Sequence, residues 1–369
     1  MRDSATIVAR GPLAWASLES TEPRRLWRFV AVALVTLSIL SGARAELPYY
    51  ALYPGGATAV NPLVGVPADR AHPATGRFLL TTVSLQSRPT VLLALQAWLD
   101  PDVDLIPEEQ LLGDQTPDQF RQVNLQAIDD SKDVAVAVAL RRLGFEVKQA
   151  GAGALVEGVV EGFPAASLLR PGDVIVAAGQ EPVSLLEDVQ KAVAARQPGD
   201  LLPLEVVDPA GVSRAVSVPI VPCPREGGCP LGATGIIGVT LRTRDLNFEL
   251  PFEVHIESED IGGPSAGLAF ALTVIDLLTP GELTDGRVIA VTGEIGLDGT
   301  VGAIGGVGQK AAAVTDAGVE IFIVPAANAE EARDHAGENL QIVPVTDLES
   351  ALLALGKLGG DLASLGAAP

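Results

Sequence analysis

Residues 262–267 read Gly-Gly-Pro-Ser-Ala-Gly and stand directly before an apolar stretch, residues 268–278. Two glycines and a proline force a tight turn, and proline suits the first turn of a helix. The pattern predicts a helix over 264–278, stopped by Thr279-Pro280-Gly281. Around it, segments of strand and helix character alternate. Strands are expected over 236–240, 252–256, 287–292, 321–324 and 342–345, and helices over 306–317, 329–336 and 347–355. Alternation of this kind defines an α/β unit that begins near Gly235.

Upstream the texture differs. Thr116-Pro117, with Asp118 in the first turn, opens a helix that runs to Leu143 and is ended by Gly144. Residues 78–84, apolar and β-branched, read as a strand, and residues 92–99 as a short apolar helix or strand. From 144 to 221, short strands (154–160, 173–178, 202–207, 215–220) are separated by Gly/Pro turns. One helix, 184–196, interrupts them, with Ser184 placed to cap it and Pro198-Gly199 past its end. This mix predicts a small antiparallel barrel with a flanking helix.

The chain has 25 basic and 46 acidic residues, a net charge of −21, which argues against nucleic acid or an anionic membrane surface as main partner. Three histidines and two cysteines leave almost no means of building a structural zinc site. Cys223 and Cys229 flank a Gly/Pro turn, so they are either two free thiols in a linker or a small disulfide-closed loop in an oxidising compartment. Residues 29–43 carry no charge and follow Arg24, Arg25 and Arg28, which places the N-terminus in the cytoplasm and the remainder across the membrane. The run is short for a spanning helix, but Trp27 and Arg28 can snorkel and extend it to Leu26. An uncleaved transmembrane anchor over 26–45 is expected. A signal peptide cleaved after Ala43-Arg44-Ala45 and a buried core helix are the alternatives.

Ser265 falls at the helix start, where free N–H groups and the macrodipole favour developing negative charge. An isolated Gly-Pro-Ser can equally be a helix cap, so a nucleophile needs a base to accompany it. His255 lies ten residues upstream. Lys310 is the stronger candidate, because Val307, Lys310, Ala311 and Val314 share one helical face. A lysine on an apolar face loses hydration, which lowers its pKa and makes it usable as a base near neutral pH.

Taken together, residues 262–267, Thr292-Gly293-Glu294-Ile295, the Gly-rich stretch 299–306 and Lys310 resemble the proteolytic domain of the Lon protease family (peptidase family S16) over residues 235–355. The resemblance implies serine endopeptidase activity with Ser265 as nucleophile and Lys310 as general base. Gly263 and Pro264 shape the turn, and Thr292 orients the lysine. His255 corresponds to the second histidine of a His-x-His strand whose first position is here Glu253. An aspartate three residues before the serine in ATP-dependent bacterial members is here Gly262. The segment 142–183, with Leu143-Gly144-Phe145, Phe163-Pro164-Ala165-Ala166 and Pro171-Gly172-Asp173-Val174-Ile175, resembles a PDZ domain. That resemblance implies a peptide groove in which Leu143, Gly144 and Phe145 hold a C-terminal carboxylate. Residues up to Val147 then offer a strand edge across from the 184–196 helix.

The expected architecture is an α/β (α+β) Lon-type proteolytic domain preceded by a small, mainly β PDZ domain and an N-terminal transmembrane helix. Its divisions are 1–25 cytoplasmic, 26–45 anchor or signal, 46–135 accessory, 136–222 PDZ, 223–234 linker, 235–357 proteolytic and 358–369 tail. The layout is similar to that of bacterial PDZ-containing Lon-like proteases. It implies a membrane-associated, extracytoplasmic enzyme acting on protein or peptide substrates, secreted if the leader is cleaved. No P-loop pattern occurs in the sequence, so no ATP is expected; no nucleic acid is expected from the acidic charge, and no cofactor is expected. A homo-oligomeric ring is implied by the resemblance alone. The rival reading is a PDZ adaptor on a catalytically silent Lon-type scaffold, and a weaker one is a protease that processes only itself or one membrane partner.

Overall fold

The computed structural model describes residues 27–30, 42, 44–223, 234–258 and 261–366. The expected membrane segment lies mostly outside these residues. Among the described residues no helix is long and apolar enough to cross a membrane. The chain divides into two compact units: Met1–Leu52 with Leu85–Gly113, and Tyr53–Ser84 with Asp114–Pro369.

Two long strands, β1 (Tyr49–Ala59) and β2 (Arg77–Ser87), contribute residues to both units. In the first unit they are joined by helix α1 (Val91–Leu99) and strand β3 (Asp104–Pro107), which pairs antiparallel with residues 49–52.

The second unit contains two layers of different character. Helix α2 (Pro117–Arg142) starts in a capping box: Thr116 Oγ accepts from the Gln119 N–H, and the Gln119 side chain accepts from the Thr116 N–H. It ends where Gly144 takes a φ of 87°. The Gly144 N–H donates to Arg141 O and the Phe145 N–H to Leu140 O, each at 3.0 Å. This is a Schellman cap, so the backbone donors of Leu-Gly-Phe are spent on closing a helix.

A mainly β layer follows β4 (Lys148–Ala150). It comprises β5 (Ala154–Val159), β6 (Val174–Ala178), helix α3 (Leu186–Ala194), β7 (Leu201–Val207), β8 (Ser213–Pro219) and β9 (Val239–Thr243). The sheet order is β8-β7-β6-β5-β9, with antiparallel neighbours. Its core of Val156, Leu169, Ile175, Val189, Leu202, Leu204 and Ile237 is separate from the rest. The buried Asp173 carboxylate pairs with Arg214 and accepts from the Arg170 N–H.

Besides two-residue strands, the later chain contributes β10 (Asn247–Glu249), which pairs with β4, then β11 (Val288–Val291), β12 (Ile321–Pro325) and β13 (Gln341–Val345). Helices α4 (Gly267–Leu278), α5 (Val307–Asp316) and α6 (Leu348–Lys357) alternate with them. β11 pairs in parallel with β12 and with residues 77–80 of β2, and β12 pairs in parallel with β13. Period-two alternation divides the sheet's side chains. Phe78, Leu80, Ile289, Val291 and Ile323 join the core that holds α2, α4 and α6. Leu79, Ala290, Phe322 and Val324 join the core under α5. This two-sided burial is what a parallel sheet requires.

Three sequence expectations are corrected here. Residues 53–84 and α2 are part of the C-terminal α/β layer, not of a separate accessory region 46–135. The PDZ-like sheet does not close within 136–222, because its edge strand β9 comes from beyond the linker. Leu143, Gly144, Phe145 and Val147 do not form a peptide edge: Val147 is buried in the α/β core, and Phe145 packs edge-on against Phe252 with Arg70 over both rings. Cys223 is disulfide-bonded; residues 224–233 lie outside those described.

Candidate active site

Gly263 has a φ of 88°, which only glycine adopts without strain, and it delivers the chain into a 3-10 turn, Pro264–Ala266, that continues as α4. Helix α2 holds this turn from one side. The Gly263 N–H donates to Asn124 O at 2.8 Å, and the Ser131 hydroxyl donates to Pro264 O at 3.0 Å. A Cβ on Gly267 would come within 2.6 Å of Ser131 Oγ, so glycine is required for α2 and α4 to pack this closely. The turn after β11 holds the other side, where the Gly293 N–H donates to Ser265 O at 2.8 Å and the Thr292 hydroxyl does so at 3.2 Å.

Lys310 projects from the first turn of α5 into this cage. Its Nζ lies 2.6 Å from Ser265 Oγ and 3.2 Å from Thr292 Oγ1. The side chain is buried, 2% exposed, and none of its hydrogen-bond partners is a carboxylate. Desolvation therefore acts unopposed and brings its pKa down to about 8. A cleft of about 660 Å³ opens beside the pair. Its walls include Gly55, Gly56 and residues 81–84 on one side and Glu257, Ile261 and Gly263 on the other.

Of the expected site residues, the structure brings Ser265, Lys310, Thr292, Gly263 and Pro264 together. His255 stands apart: it is exposed, lies in the short pairing with Val64–Gly65, and does not line the cleft. The sequence reading missed Asn124, Ser131 and residues 81–84, because nothing local to them signals an active site. They are recruited by long-range packing. Among the described residues no group of three or more His, Cys, Asp or Glu could hold a metal ion.

A second, apolar groove of about 290 Å³ lies between α3 and β9. Val189 and Val193 form one wall; residues 235–239 and Leu241 form the other. Gly238, with φ 81°, would place a Cβ 2.2 Å from Phe163. The Gly235-Ile236-Ile237-Gly238-Val239 run was the signal in the sequence that could have located this groove.

A buried Ser–Lys pair at the start of a helix, within an α/β layer, defines a class of site suited to serine peptidase chemistry. Residues 248–355 match the Lon protease (S16) C-terminal proteolytic domain, and residues 141–208 match the PDZ domain; both are present in this chain. The Lon protease of Rickettsia prowazekii (strain Madrid E) is 32% identical over 124 residues, 30% of this chain and 16% of that protein. The Lon protease of Azorhizobium caulinodans is 37% identical over 125 residues, 31% of this chain and 14% of that protein. The chain thus spans less than a fifth of the length of these relatives. Among solved structures, the PDZ domain of the SdrC-like protein from Listeria monocytogenes is similar at 20% identity. It covers 24% of this chain and 87% of that one, at a TM-score of 0.21, too low to carry an argument. The homologues of the proteolytic domain support a serine peptidase.

Proposed function

We propose that this chain is an ATP-independent, membrane-associated serine endopeptidase that works through a Ser265–Lys310 dyad. The observation that carries the proposal is the 2.6 Å contact between Lys310 Nζ and Ser265 Oγ in a buried setting. Neutral Lys310 removes the Ser265 proton as Oγ attacks a peptide carbonyl. Thr292, which accepts from Lys310 and donates to Ser265 O, fixes the amine's direction. Pro264 has no N–H, so the Ser265 and Ala266 N–H groups at this helix start are the donors offered to the developing oxyanion. Lys310 then protonates the leaving amine, and water releases the acyl group.

The groove between α3 and β9 is the peptide-docking site of the PDZ layer. β9 is the terminal strand of its sheet, so an extended C-terminal peptide adds beside it and buries an apolar residue against Val189 and Val193. Protein or peptide substrates reach the cleft after capture there. The localisation is the outer face of the cell membrane, anchored by residues 26–45.

Ser265→Ala and Lys310→Ala are each expected to lower casein or peptide cleavage by at least about 10³-fold, with circular dichroism unchanged. Addition of ATP should leave the parent rate unaltered. Undiminished cleavage by either variant would overturn the dyad, and rate stimulation by ATP would overturn ATP independence.

A further inference from the structure

Helix α1 is amphipathic in reverse. At about 100° per residue, Trp98, Val91, Leu95, Leu99 and Leu92 fall on one arc of about 120°. All five are exposed, from 40% for Val91 to 74% for Trp98. On the remaining arc Ala94 and Ala97 are buried and Leu93 is half-buried. A helix on an ordinary water-facing surface buries its leucines and presents polar residues. Here Ala94, Ala97 and the half-buried Leu93 face the protein, the other five large apolar residues face outward, and Gln96 is the lone polar side chain.

The neighbouring chain indicates what covers this face. The Val91 N–H donates to Ala45 O and the Leu47 N–H to Pro89 O, both at 3.0 Å, and Glu46 bridges to Thr90. The start of α1 is therefore stitched to residues 45–47, which follow the uncharged run 29–43 after the single residue Arg44. We propose that the exposed face of α1 lies in the interface of the lipid bilayer, as a second membrane contact beside the anchor. The proposal rests on the membrane reading above. A tryptophan among leucines suits the boundary between headgroups and acyl chains. The helix carries no basic residue and is followed by Asp100 and Asp102, so the contact is apolar and a zwitterionic bilayer suffices.

The test uses the full chain with Trp15→Phe and Trp27→Phe, which leaves Trp98 as the single tryptophan. It is reconstituted into phosphatidylcholine vesicles, with or without phosphatidylcholine brominated near the headgroup end of its acyl chains. Flotation with the vesicles and at least twofold quenching of Trp98 by the brominated lipid are expected. Flotation with unquenched, water-like Trp98 emission would overturn the helix contact and leave the anchor standing. Flotation with Trp98 unquenched by bromine yet shielded from iodide would overturn it in favour of a protein partner or second copy. Failure to float would overturn the anchor and the helix contact together.

Discussion

Lys310 combines the chemistry of the site with a cost in stability. Its folded pKa of about 8 lies below the ordinary 10.5, so between those values the unfolded chain binds more protons than the folded one. Stability therefore rises with pH across that window and is lowest below it, where the buried amine is charged. Lys310→Met removes the buried charge while keeping the length of the side chain. The variant should be inactive yet melt several degrees higher than the parent at pH 7, with the gap closing towards pH 10.5. Cleavage by the parent should rise through about pH 8 as the amine becomes neutral. Thermal unfolding across pH checks the first part, and an equal melting temperature at pH 7 would mean that the amine is not desolvated. Thr81 offers a related case. It is 4% exposed, it lines the cleft, and its Oγ1 has no hydrogen-bond partner among the described residues. Thr81→Val keeps the shape and removes the unsatisfied hydroxyl. A gain of about 1 kcal/mol in denaturant unfolding is expected, and a loss would indicate a partner for the hydroxyl.

Among the elements, α4 shows where local patterns were legible and where they were not. Its turn and its apolar composition announced a buried helix, and the parallel strands were readable from their β-branched runs. The expected strand at 78–84 is the middle of β2, but its place beside β11 depends on packing between residues some two hundred positions apart. Leu143-Gly144-Phe145 misled for a specific reason. A glycine with positive φ serves a Schellman cap and a carboxylate loop equally, and only the acceptor of the next N–H distinguishes them. Ser265 was legible from its Gly-rich turn at a helix start, and Lys310 from its place on the apolar face of the helix that follows residues 299–306. Asp276, the one charged residue of α4, was not singled out by any sequence pattern. It is buried, its Oδ1 accepts from the Leu283 N–H, and its Oδ2 has no partner among the described residues. Desolvation, with a smaller push from Glu282, raises its pKa to about 6. The folded state therefore binds more protons between pH 3.8 and about 6, and the stability gained from the neutral acid is lost as pH rises through that range. Asp276→Asn keeps the acceptor for Leu283 and stays neutral. It should melt above the parent at pH 7.5 and match it near pH 4. A pH-independent difference would remove ionisation as the cause.

At the scale of the whole molecule, sequence order and spatial order disagree, and the disagreement can be tested with fragments. The boundaries suggested by texture, 136–222 and 235–357, cut through both layers. A 136–222 fragment keeps β5 but lacks β9 and Ile237, which is 4% exposed within the β core. It would expose the side of the sheet that β9 covers and would lack one wall of the apolar groove. A fragment spanning 154–243 restores the strand, the loop at 235–238 and the groove. The first should show no cooperative thermal transition and no binding of a fluorescent peptide with an apolar C-terminus; the second should show both. A 235–357 fragment likewise lacks β1, β2 and α2, which removes Phe78, Leu80, Ile128 and Leu140 from the core around α4. It also lacks Asn124 and Ser131, which hold the nucleophile turn. Starting that fragment at Tyr53 supplies all of these groups, and a chain from 53 onward should recover soluble expression and cleavage where 235–357 recovers neither. Cooperative folding of 136–222, or peptidase activity from 235–357, would show that the interleaved strands and α2 are not needed for the layers they complete.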